Sequence, residues 1–477
     1  LRTTPGALEP KLRKKGRLAY VPLARNVSPA DAAKLLAVGL PGIAAEDTTQ
    51  RLYPGQDVGA GVIGFTGVEG GSAGIEQRFN TELAGTPGKL VVERGSNGLE
   101  IPSGLRQETA AVPGSSVRLT LDQDLQFKAQ RALADAVKAV KAKGGQLVVQ
   151  DVRTGEVLAM ATAPTFDAQK PAAAPAEARS NPTVQSPVEP GSANKVVTFA
   201  AALDRGLIRA DTPMLVPDGY QVPGKVVHDA WSHPPTRWTA TGVLGKSSNV
   251  GTLMVAEKLG PSAFYDYERR FGIGTRTGIE LPGESPGILP KPENWSGTTF
   301  GNLPIGQGLS MTALQLAGMY QTIGNDGVRI EPRIVRSVVA PDGSSTPTAT
   351  AARTRVVSPQ AARTVRTMLE ATVGPGGTAP KAAIDGYRVA GKTGTAQKPN
   401  PACRCYAGGG YWATFAGLAP ADDPRLVISI VIDEAAGGGH GGTVAGPLFK
   451  QVMSYALTAG GIAPTGTPVP RAKLTAD

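Results

Sequence analysis

EPGSANKVVTFAAAL, residues 189–203, sets a lysine at the head of a segment that is otherwise almost wholly apolar. Glu189-Pro190-Gly191 is a turn, and Val196, Val197, Phe199, Ala200 and Leu203 follow at helix spacing with almost no polar face. A helix apolar all round is a buried helix. Burial disfavours the charged form of an ammonium group, so Lys195 must find a partner or lose its proton more easily than a surface lysine. Ser192 lies one helical turn earlier, on the same face, which can bring its hydroxyl within hydrogen-bond reach of the Lys195 amine. That is a nucleophile beside a candidate base. Alone, Ser-x-x-Lys is more often an N-cap serine and a lysine that extends its amine to water than a catalytic pair.

The bulk properties frame the question. At 477 residues, 41% hydrophobic and 18% charged, the chain has the balance of a globular protein with room for two or three domains. Its net charge of +10 is partly local, since Lys11, Arg13, Lys14, Lys15 and Arg17 cluster near the start. Such a run is a solvated face or suits an anionic membrane or polymer. Nucleic acid is not expected as a partner, because no aromatic residues interleave with the cluster and no zinc-finger spacing exists. Cys403, Cys405, His228, His233 and His440 are too scattered for a metal site, so neither metal nor cofactor is expected. The Cys-x-Cys pair could close into a disulfide in an oxidising compartment, near the limit of disulfide geometry. No run is apolar enough to span a bilayer; residues 295–325 carry no charge but include Asn302, Gln307, Gln315 and Gln321.

Residues 1–115 read as an irregular, strand-rich module, with short apolar runs at Gly61–Phe65 and Lys89–Val92 broken by glycine and proline. A second domain, 116–460, opens with a strand at Ser116–Leu121 and a helix near Asp124–Lys141. Gly145–Val152 and Gly155–Ala161 form a hairpin pattern, and Pro171–Pro187 a loop. Ser310–Ile323 reads as a helix capped by its serine. Tyr387–Ala390, Tyr411–Gly417 and Leu426–Ile432 read as strands, Pro447–Leu457 as a last helix, and 461–477 as a loose tail. Strands at both ends of a domain with helices between predict an α+β fold, one sheet assembled from distant sequence against a helical lobe.

Two more stretches carry serine and lysine chemistry: Lys246-Ser247-Ser248-Asn249 and Gly391-Lys392-Thr393-Gly394-Thr395. The order Ser-x-x-Lys, Ser-x-Asn, Lys-Thr-Gly-Thr, with 55 residues from Ser192 to Ser247 and 145 from Ser247 to Lys392, resembles the three motifs of the penicillin-binding proteins and serine β-lactamases. The resemblance implies a penicillin-binding transpeptidase domain with a central antiparallel sheet. It also implies roles: Ser192 as nucleophile, Lys195 as its base, with a pKa lowered by burial and by Lys392, and Ser247 as proton relay to the leaving amine. Asn249 would hold Lys195 or a substrate backbone; Lys392, Thr393 and Thr395 suit a terminal carboxylate; Gly394 would let substrate approach the strand. The backbone N–H groups of Ser192 and Thr395 would form the oxyanion hole.

Tyr53-Pro54-Gly55 and Gly74-Ile75-Glu76, with Leu83, Gly85 and Gly88, resemble the elongated N-terminal pedestal of the class B, monofunctional transpeptidases. No Glu-x-x-Leu-Asn segment lies between Asn249 and Lys392, where class A β-lactamases carry their deacylating glutamate. Glu189-Pro190-Gly191, Lys246–Gly251 and Leu303–Gly308 are similar to the FtsI-like division type. The family's usual entry segment is not recognisable before Gly39. The implied activity is a D,D-transpeptidase that cross-links peptidoglycan stem peptides ending in D-Ala-D-Ala during septal synthesis and is acylated by β-lactams. Implied partners are a membrane glycan polymerase and other division proteins, bound through the pedestal. The implied location is the extracytoplasmic face of the bacterial membrane, with an N-terminal anchor that this chain, opening at Leu1, does not contain. The alternatives are a D,D-carboxypeptidase or β-lactamase with water as acceptor, and a non-enzymatic β-lactam sensor or division scaffold.

Overall fold

The computed structural model describes residues 4–13, 21–96, 99–400, 402–403 and 405–476; Lys14, Lys15 and Arg17 of the basic cluster lie outside them. The chain divides into two compact units, Leu1–Pro54 and Gly55–Asp477. In the smaller unit the helix Pro29–Leu36 starts where Ser28 accepts from the Asp31 N–H, with proline in its first turn.

Residues 55–115 are built into the larger unit. The Gly59 N–H donates to Gln130 Oε1 at 3.0 Å, Gln130 Nε2 donates to the Asp57 carbonyl at 2.9 Å, and Val62 is buried with Met160 and Val184. The run Gly61–Phe65, read as strand-like, falls largely in a short helix, Ala60–Ile63. At its end the backbone of Gly64 approaches Ala73 so closely that a Cβ on Gly64 would lie 1.9 Å from the Ala73 carbonyl oxygen. Lys89–Val92 is a strand, paired antiparallel with Arg106–Thr109. The strand Ser116–Leu119 pairs with Val335–Val339 outside the central sheet.

The helix α1, Gln123–Ala139, is capped by Asp122, whose side chain accepts from the Leu125 N–H. Then come strands β1, Gly144–Asp151, and β2, Val157–Ala163. The helical lobe contributes α2, Lys195–Asp204; α3, Ala240–Lys246; α4, Asn249–Leu259; α5, Pro261–Arg270; α6, Ala313–Gly324; and α7, Pro359–Val373. The chain returns to the sheet with β3, Ala390–Gln397; β4, Tyr411–Ala419; and β5, Leu426–Asp433, and closes with α8, Gly441–Ala459. The sheet runs β3-β4-β5-β1-β2, antiparallel throughout, which puts β3 at an edge. The predicted α+β architecture, with one sheet drawn from both ends of the domain, is what forms.

Alternation along β5 shows why the sheet needs cover on both faces. Leu426, Ile428, Ile430 and Ile432 join the core beneath α1 and α8, whereas Val427 points into the helical lobe around α2. Ser429 is buried as well, and its hydroxyl donates to the Ala313 carbonyl at 2.6 Å, tying the sheet to the start of α6.

Four boundary readings are corrected. The helix α6 is capped by Thr312 in a reciprocal pair with Gln315, because Ser310 is held in a bridge to Ile288. Lys392–Thr395 lies inside β3, since the strand begins at Ala390 and continues to Gln397. The helix α8 begins at Gly441 and carries Pro447 in its interior. The tail is docked: Thr239 N–H donates to the Leu474 carbonyl at 2.9 Å, Ala476 N–H to the Arg237 carbonyl at 3.1 Å, and the Thr465 and Thr467 hydroxyls to Asp422. Backbone groups of a low-complexity tail can pair with any open strand edge, and Arg237–Thr239 offers one.

Candidate active site

The turn before α2 is fixed by its backbone. Gly191 has φ +55°, a conformation that favours glycine, and its N–H donates to the Gly306 carbonyl at 3.1 Å. Gly191–Asn194 then form one 3-10 turn, and Lys195 opens the α-helix proper. The Tyr320 hydroxyl, fully buried on α6, donates to the Ala193 carbonyl at 2.9 Å. Ser192, half-buried, is left at the accessible edge of this turn.

Lys195 is completely buried, and its amine is held across the lobe rather than by its own turn. It donates to the Ser247 carbonyl at 2.6 Å, to Asn249 Oδ1 at 2.8 Å and to Ser247 Oγ at 3.4 Å; none of these bonds goes to Ser192. Burial pulls its pKa down to about 7, against the opposing charge of Asp229. A lysine in this state is part ammonium and part free amine at neutral pH, which is what a proton acceptor requires.

The Ser247-Ser248-Asn249 segment joins α3 to α4. Ser247 adopts φ +64° at the end of α3, uncommon for a residue with a side chain, and its N–H donates to the Leu244 carbonyl. Ser248 caps α4, accepting from the Gly251 N–H at 2.9 Å. Asn249 Nδ2 donates to the His228 carbonyl at 3.1 Å, which turns Oδ1 toward Lys195. Both ends of its amide are therefore engaged within the protein.

Lys392 on β3 is also fully buried. Its amine reaches the Thr393 carbonyl at 3.3 Å and Thr393 Oγ1 at 3.5 Å, and burial together with the nearby charge of Lys195 holds its pKa well below the ordinary lysine value. Thr393 Oγ1 lies 2.8 Å from Thr378 Oγ1, and Thr395 Oγ1 accepts from the Gly441 N–H at 3.5 Å. Gly394 faces inward. A Cβ there would meet the Pro190 carbonyl oxygen at 2.1 Å and Thr414 Oγ1 at 2.2 Å, and one on Gly191 would meet the Thr395 carbonyl oxygen at 2.8 Å. These two glycines let the edge strand and the Ser192 turn lie backbone to backbone.

Sequence reasoning missed Asp229 and Glu268. Asp229 Oδ1 accepts the N–H groups of Asn249 and Val250, the latter at 3.0 Å, and its Oδ2 lies 3.1 Å from His233 Nε2. Its sequence signal is the spacing Asp229 to His233, within a turn-rich stretch. Glu268 occupies the apolar stripe of α5 with Phe264, Tyr267 and Phe271, the one acidic residue at i, i+3, i+4, i+7 spacing. The loop after β3 carries the Cys403–Cys405 disulfide, and its Tyr406 hydroxyl donates to Glu189 Oε1 at 2.7 Å.

Comparison with known proteins shows the family. Residues 145–454 match the penicillin binding protein transpeptidase domain, and residues 2–119 the penicillin-binding protein dimerisation domain. Penicillin-binding protein PbpB of Mycolicibacterium smegmatis is 47% identical over 96% of this chain and 72% of its own length. Peptidoglycan D,D-transpeptidase FtsI of Escherichia coli is 38% identical over 94% of this chain and 74% of its own. The crystal structure of penicillin binding protein 3 from Mycobacterium tuberculosis, complexed with ampicillin, is similar with a TM-score of 0.83 and 45% identity, covering 90% of this chain and 93% of that one. The chain belongs to the class B penicillin-binding proteins of the FtsI type, the peptidoglycan D,D-transpeptidases.

Proposed function

We propose that the chain cross-links peptidoglycan through an acyl-enzyme on Ser192, with Lys195 as the base. The observation that carries this is the Lys195 amine, fully buried, with its pKa drawn down to about 7 and aimed by Ser247 and Asn249. Ser192 Oγ attacks the penultimate D-alanine carbonyl of a stem peptide and its proton passes to the free amine of Lys195. The tetrahedral oxyanion is received by the backbone N–H groups of Ser192 and Thr395. The C–N bond then breaks; the proton reaches the departing D-alanine nitrogen by way of Ser247, and Lys195 is free again. An amine of a neighbouring stem attacks the ester, restoring Ser192. Lys392, with the Thr393 and Thr395 hydroxyls, receives the terminal carboxylate, whose charge favours protonation of the lysine on binding.

β-Lactams acylate the same serine, consistent with the description of the Mycobacterium tuberculosis relatives as complexed with ampicillin and aztreonam. Residues 1–115 act as a pedestal for a glycan polymerase and other division proteins, residues 116–460 as the transpeptidase, and 461–477 as its tail. Exposed Leu90, Leu99, Leu105 and Val112 supply apolar contact area on the pedestal. The working place is the extracytoplasmic face of the membrane, where the polymer lies, and a disulfide at Cys403–Cys405 suits an oxidising compartment. Among the described residues no helix is long and apolar enough to cross a membrane.

Intact mass after brief exposure to penicillin, with peptide mapping, tests the reading. A long-lived adduct on Ser192 that is absent from Ser192→Ala is expected. An unchanged adduct in that variant would overturn the nucleophile, and an adduct lost within seconds with drug consumed would make the enzyme a hydrolase.

A further inference from the structure

Asn194 stands between Ser192 and Lys195 with its side chain buried beneath the turn. Its Nδ2 donates to Glu268 Oε1 at 2.6 Å and to the Leu303 carbonyl at 3.3 Å, which fixes the orientation of the amide. Two buried oxygens are then left without a hydrogen bond, Asn194 Oδ1 and Glu268 Oε2. Both are acceptors when the carboxylate is ionised, so neither can satisfy the other. Glu268 has no exposed surface, and among the described residues its carboxylate has the Asn194 hydrogen bond but no ion-pair partner. An ionised carboxylate in that setting is costly, and an orphaned amide oxygen adds to the cost.

One proton removes both faults. We propose that Glu268 is a positioning residue for Ser192 acylation, held as a neutral carboxylic acid that accepts from Asn194 Nδ2 through Oε1 and donates through Oε2 to Asn194 Oδ1. The two-point acid–amide ring clamps the turn from below as Tyr320 clamps it at Ala193, so that Ser192 and Lys195 keep their mutual placement. Burial pushes the Glu268 carboxyl up to about 8, in the same direction.

The proposal rests on Ser192 as nucleophile, but its protonation half is read without acylation. The infrared difference between the native chain and Glu268→Gln at pH 7 is expected to show loss of a protonated carboxylic C=O band. Glutamine is the isostere of the neutral acid and can make both hydrogen bonds, so E268Q is expected to acylate with penicillin within about threefold of native. Glu268→Leu, and Glu268→Asp as a shorter acid that cannot span to Asn194, are expected to lower the acylation rate constant about tenfold or more, with pre-covalent drug affinity unchanged. Absence of the carboxylic band overturns the proposal. So does E268Q falling as far as E268D while folded, because an ionised carboxylate would then be what the turn requires. Native-like acylation in folded E268L or E268D removes the positioning role. Failure of the nucleophile assignment would appear separately, as an adduct persisting in Ser192→Ala.

Discussion

The Lys195 amine lies 2.8 Å from Asn249 Oδ1, across 54 residues of sequence. The contact joins the first residues of two helices, α2 and α4, so the candidate base is aimed by a neighbouring helix rather than by the turn that carries the nucleophile. Asn249 in turn is held by the His228 carbonyl and by Asp229.

Replacing the base should separate chemistry from binding. Lys195→Met is expected to lower penicillin acylation by about 10²–10⁴-fold, the usual worth of a positioned base. Stopped-flow acylation with a fluorescent penicillin checks it, and a fall below about tenfold would exclude Lys195 from that role.

Acylation should follow the free amine. With Lys195 titrating at about 7, the rate constant is expected to climb as pH rises through 7 and to level above it. Stability has the same sign. Between about 7 and the ordinary lysine value of 10.5 the unfolded chain binds the proton that the folded chain lacks, so stability increases with pH over that window and falls as pH drops toward 7. Denaturant midpoints across the window should rise less steeply in Lys195→Met than in the native chain.

Asp229 should tune that inflection. Its charge raises the pKa of Lys195, so Asp229→Asn, which keeps an oxygen for the Asn249 and Val250 N–H groups, is expected to move the pH–rate midpoint to lower pH. An unchanged midpoint in a folded variant would show that the two groups are not coupled.

Gly394 should not accept a side chain. A Cβ 2.1 Å from the Pro190 carbonyl oxygen forces the edge strand off the nucleophile turn, so Gly394→Ala is expected to cost about 1–3 kcal/mol in denaturant unfolding and to slow acylation. Native-like stability and acylation together would mean that the two backbones separate without consequence.

The site was legible in the sequence to the extent that its chemistry is local. Ser192 and Lys195 share one turn, Ser247 and Asn249 another, and Lys392 to Thr395 one strand, so order and spacing could bring out the three segments. Asp229 and Glu268 were not legible because each acts on a segment distant in sequence: 20 residues separate Asp229 from Asn249, and 74 separate Glu268 from Asn194. Their residue types are ordinary for surface positions, and the local signals, the Asp229 to His233 spacing and an acid in the apolar stripe of α5, do not name the distant segments on which the two residues act.

Apolar periodicity by itself determined the buried helix that opens with Lys195, the hairpin of β1 and β2 and the strands β4 and β5, because period and turn chemistry are properties of neighbouring residues. Only the tertiary structure decided that Lys392 lies within β3, that the tail docks on Arg237–Thr239, and that the Lys195 amine bonds to Ser247 and Asn249. Hydrogen-bond partners and pKa values depend on what excludes water from a group, and here that is done by residues tens to hundreds of positions away.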